Sequence, residues 1–470
     1  MKRIAALFLG SLILLSLTFA GCDKVTDTTN SPSIAPTKIA DDTDNSTTTT
    51  EALVDRVINI YSATDEVPRM VMRYKELHPG FKYRINMFTF ATADMDFHIA
   101  LDNALAAGGA DIPDIYCVES ARVMKYSQGD QADYAMPYRD IGIDVDNLVQ
   151  EADIAKYVID IGTNPKGEIV GLGYQGTGGA FIYRRSIAKT VWGTDDPEII
   201  SYIIGPGWDR FFEAATALEA KGYGIVSGDG DIWHSIENSA EIPWVVNGKL
   251  HIDPKREAFI DYAKQLKDNG FSNDTKDWSD EWFADMQGAG EKEIFGFFGP
   301  SWMVNYVMMS NSGGGKIGEG TYGDWAVCDP PEHFFWGGTW IYANKNSEHQ
   351  EVIGDIIKWI TLDSSEAGLQ HSWANGTYAG TDGILEAVVS GTVMSNAEGT
   401  IDFLDNQNNM YAVFDNAAKH ANGKNITLYD ERINSYWRDQ VREYTAGNKS
   451  REQAIADFKQ SVKDNLDIVA

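Results

Sequence analysis

Four tryptophans stand where the chain must turn. Trp233 follows Gly228-Asp229-Gly230-Asp231, Trp302 follows Gly299-Pro300, Trp336 precedes Gly337-Gly338, and Trp373 precedes Ala374-Asn375-Gly376. An indole offers a large flat apolar face with a single N–H donor on its rim. Placed in a glycine-bearing turn, where backbone and neighbour come close, such faces can form a platform for a flat apolar surface presented to them. Glu119, Gln175 and Asp231 would add the carboxylate and amide groups that bind hydroxyls around that surface. With 13 tryptophans and 21 tyrosines in the chain, aromatic area is abundant. The competing use of every indole is core packing, because large aromatics are mostly buried. Trp340, inside the apolar run TWIYA, is read as packing.

Alternating elements must carry these groups. VINIY (57–61) has strand character. A helix with Val67, Met70, Val71, Tyr74 and Leu77 on one face follows it, with Pro68 in the first turn and His78-Pro79-Gly80 as its stop. A second strand is expected over 82–88, a helix with Phe97, Leu101, Ala104 and Leu105 on its apolar face ends at Gly108-Gly109, and a third strand spans 113–119. Strand and helix in alternation predict parallel pairing and an α/β layering of helices on a sheet. In open sheets of this class ligands sit beyond the carboxyl ends of the strands, which points to Tyr61 and Ser62 after the first strand and to Glu119 after the third. Further on, EIVGLGYQ and FIYRR flank the glycine-rich stretch 176–179 and suit two strands joined by a flexible turn that crosses between lobes. IFGFFGPSW reads as a strand running into a Gly-Pro turn, and Ser347 with Gln350 forms a capping box for a helix carrying Val352, Ile356 and Ile360. A last helix is capped by Ser450 with Gln453 and faces inward with Ile455, Phe458, Val462 and Leu466.

A chain of 470 residues exceeds the size at which a single core stops growing, so two lobes are expected. Its 39 basic and 69 acidic residues leave a net charge of −30, which argues against nucleic acid as a partner and speaks for solubility. No Gly-x-Ser-x-Gly or His-Glu-x-x-His nucleophile or metal motif occurs, the histidines are scattered, and no cofactor or metal is expected. Asp229-Gly230-Asp231 is similar to the opening of a calcium loop, but the later ligands are missing. Paired carboxylates could serve a glycoside-acting enzyme, although so acidic a chain supplies such pairs under any reading.

The N-terminus carries an address. Lys2 and Arg3 precede an apolar stretch over 4–19, and Ala20 and Gly21 lead to Cys22, as in a signal peptide. Phe19-Ala20-Gly21-Cys22 resembles the lipobox of bacterial lipoproteins, which implies lipidation of Cys22, a signal peptide over 1–21 and a lipid-anchored protein on the extracytoplasmic face of the cell membrane. Residues 23–50 are rich in Asp, Thr, Ser and Asn, have almost nothing apolar to bury, and are expected to form a disordered tether. The two remaining cysteines, Cys117 and Cys328, sit in short apolar strands and are read as buried free thiols.

The lipobox, the tether, SATDEVPRMVMRYKELHPG, ADIPDIYCVES, GEIVGLGYQGTGGAFIYRRSIA, GPGWDRFFEAATALEAKGY, FGFFGPSWMV and WGGTWIYANKNSEHQEVIGDIIKWIT follow one another in an order similar to extracellular solute-binding lipoproteins of family 1. These are the maltose-binding-protein-like receptors of ABC importers. The resemblance covers nearly the whole mature chain. It implies a two-lobed α/β fold of the type II periplasmic-binding-protein class, with a ligand cleft between lobes joined by crossing strands. The first lobe would span 51–172 plus 336–383 and the second 173–335 plus 384–470. It further implies a binding protein rather than an enzyme, a monomer that delivers its ligand to ABC permease subunits.

In that cleft a carbohydrate, and an oligosaccharide in particular, suits the aromatic loops, since sugars combine apolar C–H faces with many hydroxyls. The expected ligand-contacting residues are Tyr61, Ser62, Glu119, Gln175, Asp231, Trp233, Trp302, Trp336, Gly337 and Trp373. A peptide or polyamine is the rival ligand; a polyamine would favour clustered cleft carboxylates over tryptophan-rich loops.

Overall fold

A computed structural model describes residues 37–40, 56–89, 95–109, 111–378 and 383–469. The expected signal peptide, Cys22 and most of the expected tether lie outside the described residues. The strands, in chain order, are β1 (Thr37–Ala40), β2 (Val57–Tyr61), β3 (Arg84–Thr89), β4 (Ile115–Glu119), β5 (Gly171–Gly173), β6 (Ala180–Arg184), β7 (Val245–Val246), β8 (Lys249–Leu250), β9 (Gly296–Gly299), β10 (Trp325–Cys328) and β11 (Thr339–Ala343). They form a six-stranded sheet in the order β1-β3-β2-β4-β11-β5, a three-stranded sheet in the order β10-β6-β9, and the small β7-β8 hairpin.

The first sheet mixes two directions. β2 pairs parallel with both β3 and β4, as the strand–helix alternation requires, whereas β11 returns antiparallel between β4 and β5, with Thr339 opposite Glu119 and Trp340 opposite Gly173. The second sheet is antiparallel throughout, so the expectation of parallel pairing holds only for the first half of the chain. Its strands are buried on both faces and sort their side chains by the period of two. Phe181, Tyr183, Phe298, Ala326 and Cys328 enter the outer core with the Trp208–Glu219 helix. Ile182, Phe297, Trp325 and Val327 face a core continuous with that of the first lobe.

Several sequence expectations are corrected. The tether is not structureless throughout: β1 adds antiparallel to the free edge of β3, Thr37 opposite Thr89, and Lys38 pairs with Asp111 at 2.7 Å. An edge strand leaves its backbone groups unpaired, so even a polar segment can satisfy them. The strand expected over 168–175 shortens to β5, and that over 294–302 to β9, after which Met303–Met308 winds into a π-helix. The helix after β11 is Gln350–Thr361. Ser347 accepts from the His349 N–H and hydrogen-bonds Asp114 instead of capping the helix, and the buried face is Ile353, Ile356, Ile357 and Ile360, with Val352 only partly buried.

The glycine-rich stretch 176–179 is a packed crossing and not a flexible turn. An added Cβ would lie 2.5 Å from the Val388 carbonyl oxygen at Gly176, 2.3 Å from that of Phe414 at Gly178, and 2.0 Å from the Phe334 ring at Gly179. Glycine is required there because three chain segments cross in contact. Cys117 and Cys328 are free and buried, 2% exposed each.

Candidate functional site

The crossing segments converge on one aromatic group. Trp336 N donates to Thr177 O at 3.0 Å and Trp302 Nε1 donates to Trp336 O at 3.1 Å, which ties the turn after β9 to the segment leading into β11. Gly337 has φ +76°, a left-handed value that glycine takes at no cost, and an added Cβ would sit 3.4 Å from Trp302 Nε1. Both indoles are partly buried. One face of Trp336 is covered by His234, whose ring stacks on it at 3.6 Å and 16°.

A third indole completes the group, and the sequence reading missed it. Trp278 is 50% exposed, lies parallel to Trp302 at 6.4 Å and 8°, and meets Trp336 edgewise at 6.1 Å and 69°. Trp302 in turn stands across Trp336 at 4.9 Å and 63°. A ring inserted between two parallel indoles would need two contacts of about 3.5–4.0 Å each, so the closely spaced pair offers outward faces and not a slot. Trp278 holds φ +65°, an uncommon backbone state for a bulky residue. Sparsely populated conformations of this kind persist only where the surroundings over-determine them. Here the surroundings are Trp282 at 5.4 Å and, one residue earlier, the clamped carboxylate of Asp277.

Asp277 accepts from Arg438 Nη2 at 2.7 Å and from Arg442 Nη2 at 3.3 Å, with His234 Nε2 at 3.8 Å. Burial opposes its charge, yet Arg438, His234 and Arg442 together outweigh it and hold the carboxyl down at about 2. Arg442 also meets Asp229 at 3.2 Å. A charged layer from the Asp430–Thr445 helix therefore lies behind the tryptophans and fixes the loop that carries Trp278.

The other expected residues divide by accessibility. Glu119 is exposed at the carboxyl end of β4, opposite Thr339, and Ser120 N donates to Gly338 O at 2.9 Å, so it stands beside the same crossing. Gln175 is partly buried and bridges to Val388, two residues from the Thr177 carbonyl that receives Trp336 N. Tyr61 is 4% exposed, stacks on Phe88 at 4.3 Å and donates to the Asp111 carbonyl at 3.0 Å; Ser62 is 1% exposed and donates its N–H to Phe88 O.

Asp231 and Trp233 are taken by the second lobe itself. Asp231 is 2% exposed and accepts from Ser227 N at 3.0 Å, Gly228 N at 3.2 Å and Trp282 Nε1 at 3.1 Å, at the start of the Asp229–Glu237 helix. Burial drives its carboxyl up to about 7, with Trp282 and Gly228 opposing and Asp277 and Asp285 adding. Trp233 is 1% exposed and packs on Phe259 at 4.7 Å. Trp373 is also 1% exposed, stacked on Tyr174 at 5.5 Å. Of the four loop tryptophans, Trp302 and Trp336 are brought together with Gly337, while Trp233 and Trp373 serve packing. Among the described residues no group of three or more His, Cys, Asp or Glu is arranged to hold a metal.

Comparisons with known proteins agree with this architecture. Residues 69–386 match the family model described as bacterial extracellular solute-binding protein. No curated protein matches by sequence. Among solved structures, an extracellular solute-binding protein of family 1 superimposes with TM-score 0.70 at 19% identity, covering 87% of this chain and 99% of that one. The galacto-N-biose/lacto-N-biose I-binding protein of Bifidobacterium longum follows with TM-score 0.63 at 16% identity, covering 88% and 98%. The sugar-binding protein MalE of Xanthomonas citri has TM-score 0.63 at 14% identity, covering 87% and 96%. These likenesses establish the two-lobed type II fold, and the sequence match over 69–386, more than half of the chain, makes this protein a member of the bacterial extracellular solute-binding family.

Proposed function

We propose that this protein captures a carbohydrate, an oligosaccharide in particular, between its lobes and delivers it to the permease of an ABC transporter. The observation that carries this reading is the surface formed by Trp278, Trp302 and Trp336 at the crossing, with Glu119 and Gln175 beside it. Indole faces suit the C–H faces of sugar rings, and a carboxylate and an amide suit their hydroxyls. The ligands bound by fold relatives, lacto-N-biose and cycloalternan among them, point to the same class. We take the lobes as 51–172 plus 336–383 and 173–335 plus 384–470, in keeping with β5 and β11 in one sheet and β6, β9 and β10 in the other. Cys22 would carry the lipid that holds a monomeric receptor on the extracytoplasmic face of the cell membrane.

Calorimetric titration with a panel of mono- and oligosaccharides, with spermidine and peptides as controls, tests the reading. Sugar binding without product formation is expected, and Trp302→Ala and Trp336→Ala should each weaken it by about tenfold or more, the scale of a lost aromatic contact with its buried area. Response to spermidine or a peptide alone would overturn the carbohydrate assignment; product formation would make the protein an enzyme.

A further inference from the structure

Trp302 is held from both sides of the sequence by one buried carboxyl group. Ser301 Oγ donates to Glu386 Oε1, and Asn305 Nδ2 donates to Glu386 Oε2 at 2.9 Å and to the Leu385 carbonyl at 2.9 Å. Ala387 N donates to Ser301 Oγ at 3.0 Å. Ser301 and Glu386 are 0% exposed and Asn305 is 7% exposed. Glu386 belongs to the stretch that bridges Gln175 through Val388, so it sits in the crossing, whereas Ser301 and Asn305 frame the start of the π-helix Met303–Met308 in the second lobe.

We propose that Glu386 is a positioning residue for the binding site: it fastens the head of the π-helix, and with it the Trp302 indole, to the crossing segment. This rests on the reading of Trp302 as ligand surface. The geometry supports a neutral acid in that role. Two donors meet the two oxygens, but among the described residues no Lys or Arg pairs with this carboxyl; the titratable groups around it are Glu66 from the Glu66–Leu77 helix, Tyr306 from the π-helix and Tyr411 from the Met410–His420 helix. A charge would be left dry and uncompensated. Burial accordingly raises the carboxyl to about 8, against the hydrogen bonds from Ser301 and Asn305 and with the help of Glu66. Since the folded form is the weaker acid, the lock is complete at low pH and is eroded as the pH rises to that value.

The test compares the wild type with Glu386→Gln, which keeps a neutral hydrogen-bonding group, and with Glu386→Ala, each with and without Trp302→Phe. In the absence of sugar, the fluorescence difference attributable to Trp302 should titrate near pH 8 in the wild type and be flat in Glu386→Gln. For a sugar that binds the wild type, Kd should rise with pH from the ordinary carboxylate range up to that midpoint, by at most about tenfold per unit, level off above it, and stay within about twofold across the range in Glu386→Gln. Glu386→Ala should bind about tenfold or more weakly throughout the range. Identical Trp302 titrations in the wild type and Glu386→Gln, or a Glu386→Ala protein that binds as the wild type does, would overturn the proposal. If no sugar binds the wild type, the carbohydrate reading fails, while the sugar-free titration still decides the role of Glu386. Should Glu386→Ala not fold, the Glu386→Gln pH profile carries the decision.

Discussion

Arg122 and Glu431 form an ion pair between helices 309 residues apart in the sequence. Arg122 lies in the Ser120–Ser127 helix, which starts at the carboxyl end of β4, and Glu431 in the Asp430–Thr445 helix, packed on Pro254–Asp268 and Arg451–Leu466. Nη2 donates to Oε1 at 2.9 Å and Nη1 meets Oε2 at 2.9 Å, the two-pronged geometry that gives a guanidinium its strongest carboxylate contact. The side chains keep 24% and 40% exposure, so solvent screens much of the attraction. Exposed pairs are worth about 0.2–1 kcal/mol, and the bidentate fit places this one near the upper end. If the pair forms only when the lobes close, its loss subtracts that energy from the closed state and raises Kd by about two- to fivefold. Calorimetry on Arg122→Ala, Glu431→Ala and the double variant forms the assay. The single variants should weaken binding to the same extent and the double variant no further, and all four proteins should converge at about 1 M salt, where the screening length falls to about 3 Å. Additive losses would show that Arg122 acts on the ligand or the fold by another route. Unchanged affinity in both single variants would refute the latch.

The strained backbone at Trp278 separates binding from stability. Trp278→Ala and Trp278→Gly should both weaken sugar binding by about tenfold or more, but the glycine variant should be the more stable of the two by about 1 kcal/mol in chemical denaturation, because it alone takes φ +65° without strain. Equal stability would mean the left-handed conformation is not held in solution. Asp277 is held low, at about 2, so its contribution is present above the ordinary carboxylate range and is lost as the pH falls towards about 2. Asp277→Asn should therefore cost about 3 kcal/mol at neutral pH, as for a broken buried ion pair, and should flatten the acid limb of the stability–pH curve below about pH 4. An unchanged acid limb would show that the Arg438 and Arg442 pairs do not persist.

The elements that repeat a period were legible in the sequence, and those set by tertiary neighbours were not. Val67, Met70, Val71 and Tyr74 announce a buried helical face, and that face is buried, with only Leu77 left 46% exposed at its end. The parallel strands β2, β3 and β4 follow from the same alternation. Trp302 and Trp233 show the limit. Each follows a glycine-bearing turn, yet one meets other indoles at the crossing and the other enters a helix whose inner face packs on Phe259. A local signal for the second case existed: Asp229 and Asp231 are first-turn acids placed to meet the free N–H groups of a helix start, so this stretch reads as a helix N-terminus before it reads as a loop. Trp278 carried no comparable signal. Lys276-Asp277-Trp278-Ser279-Asp280 has the look of a polar turn leading into a helix capped by Ser279, and nothing local states that two arginines more than 150 residues away will clamp Asp277.

That dependence on distant sequence bears on where the chain's specificity is written. The family match covers 69–386, by the end of which both sheets are complete, although β1 and β2 precede it and the crossing runs on to Val388. The groups that position the aromatic surface from behind come after it: Arg438 and Arg442 fix the Trp278 loop through Asp277, and Glu431 reaches the first lobe through Arg122. All three lie on the single helix Asp430–Thr445, whose apolar side, Ile433, Trp437 and Val441, is buried in the second core. One helix therefore ties the second core both to the Trp278 loop, through Asp277, and to Arg122 on the Ser120–Ser127 helix. The matched part carries β3 to β11 and Trp278, Trp302 and Trp336, and residues beyond it hold the Trp278 loop in place from behind.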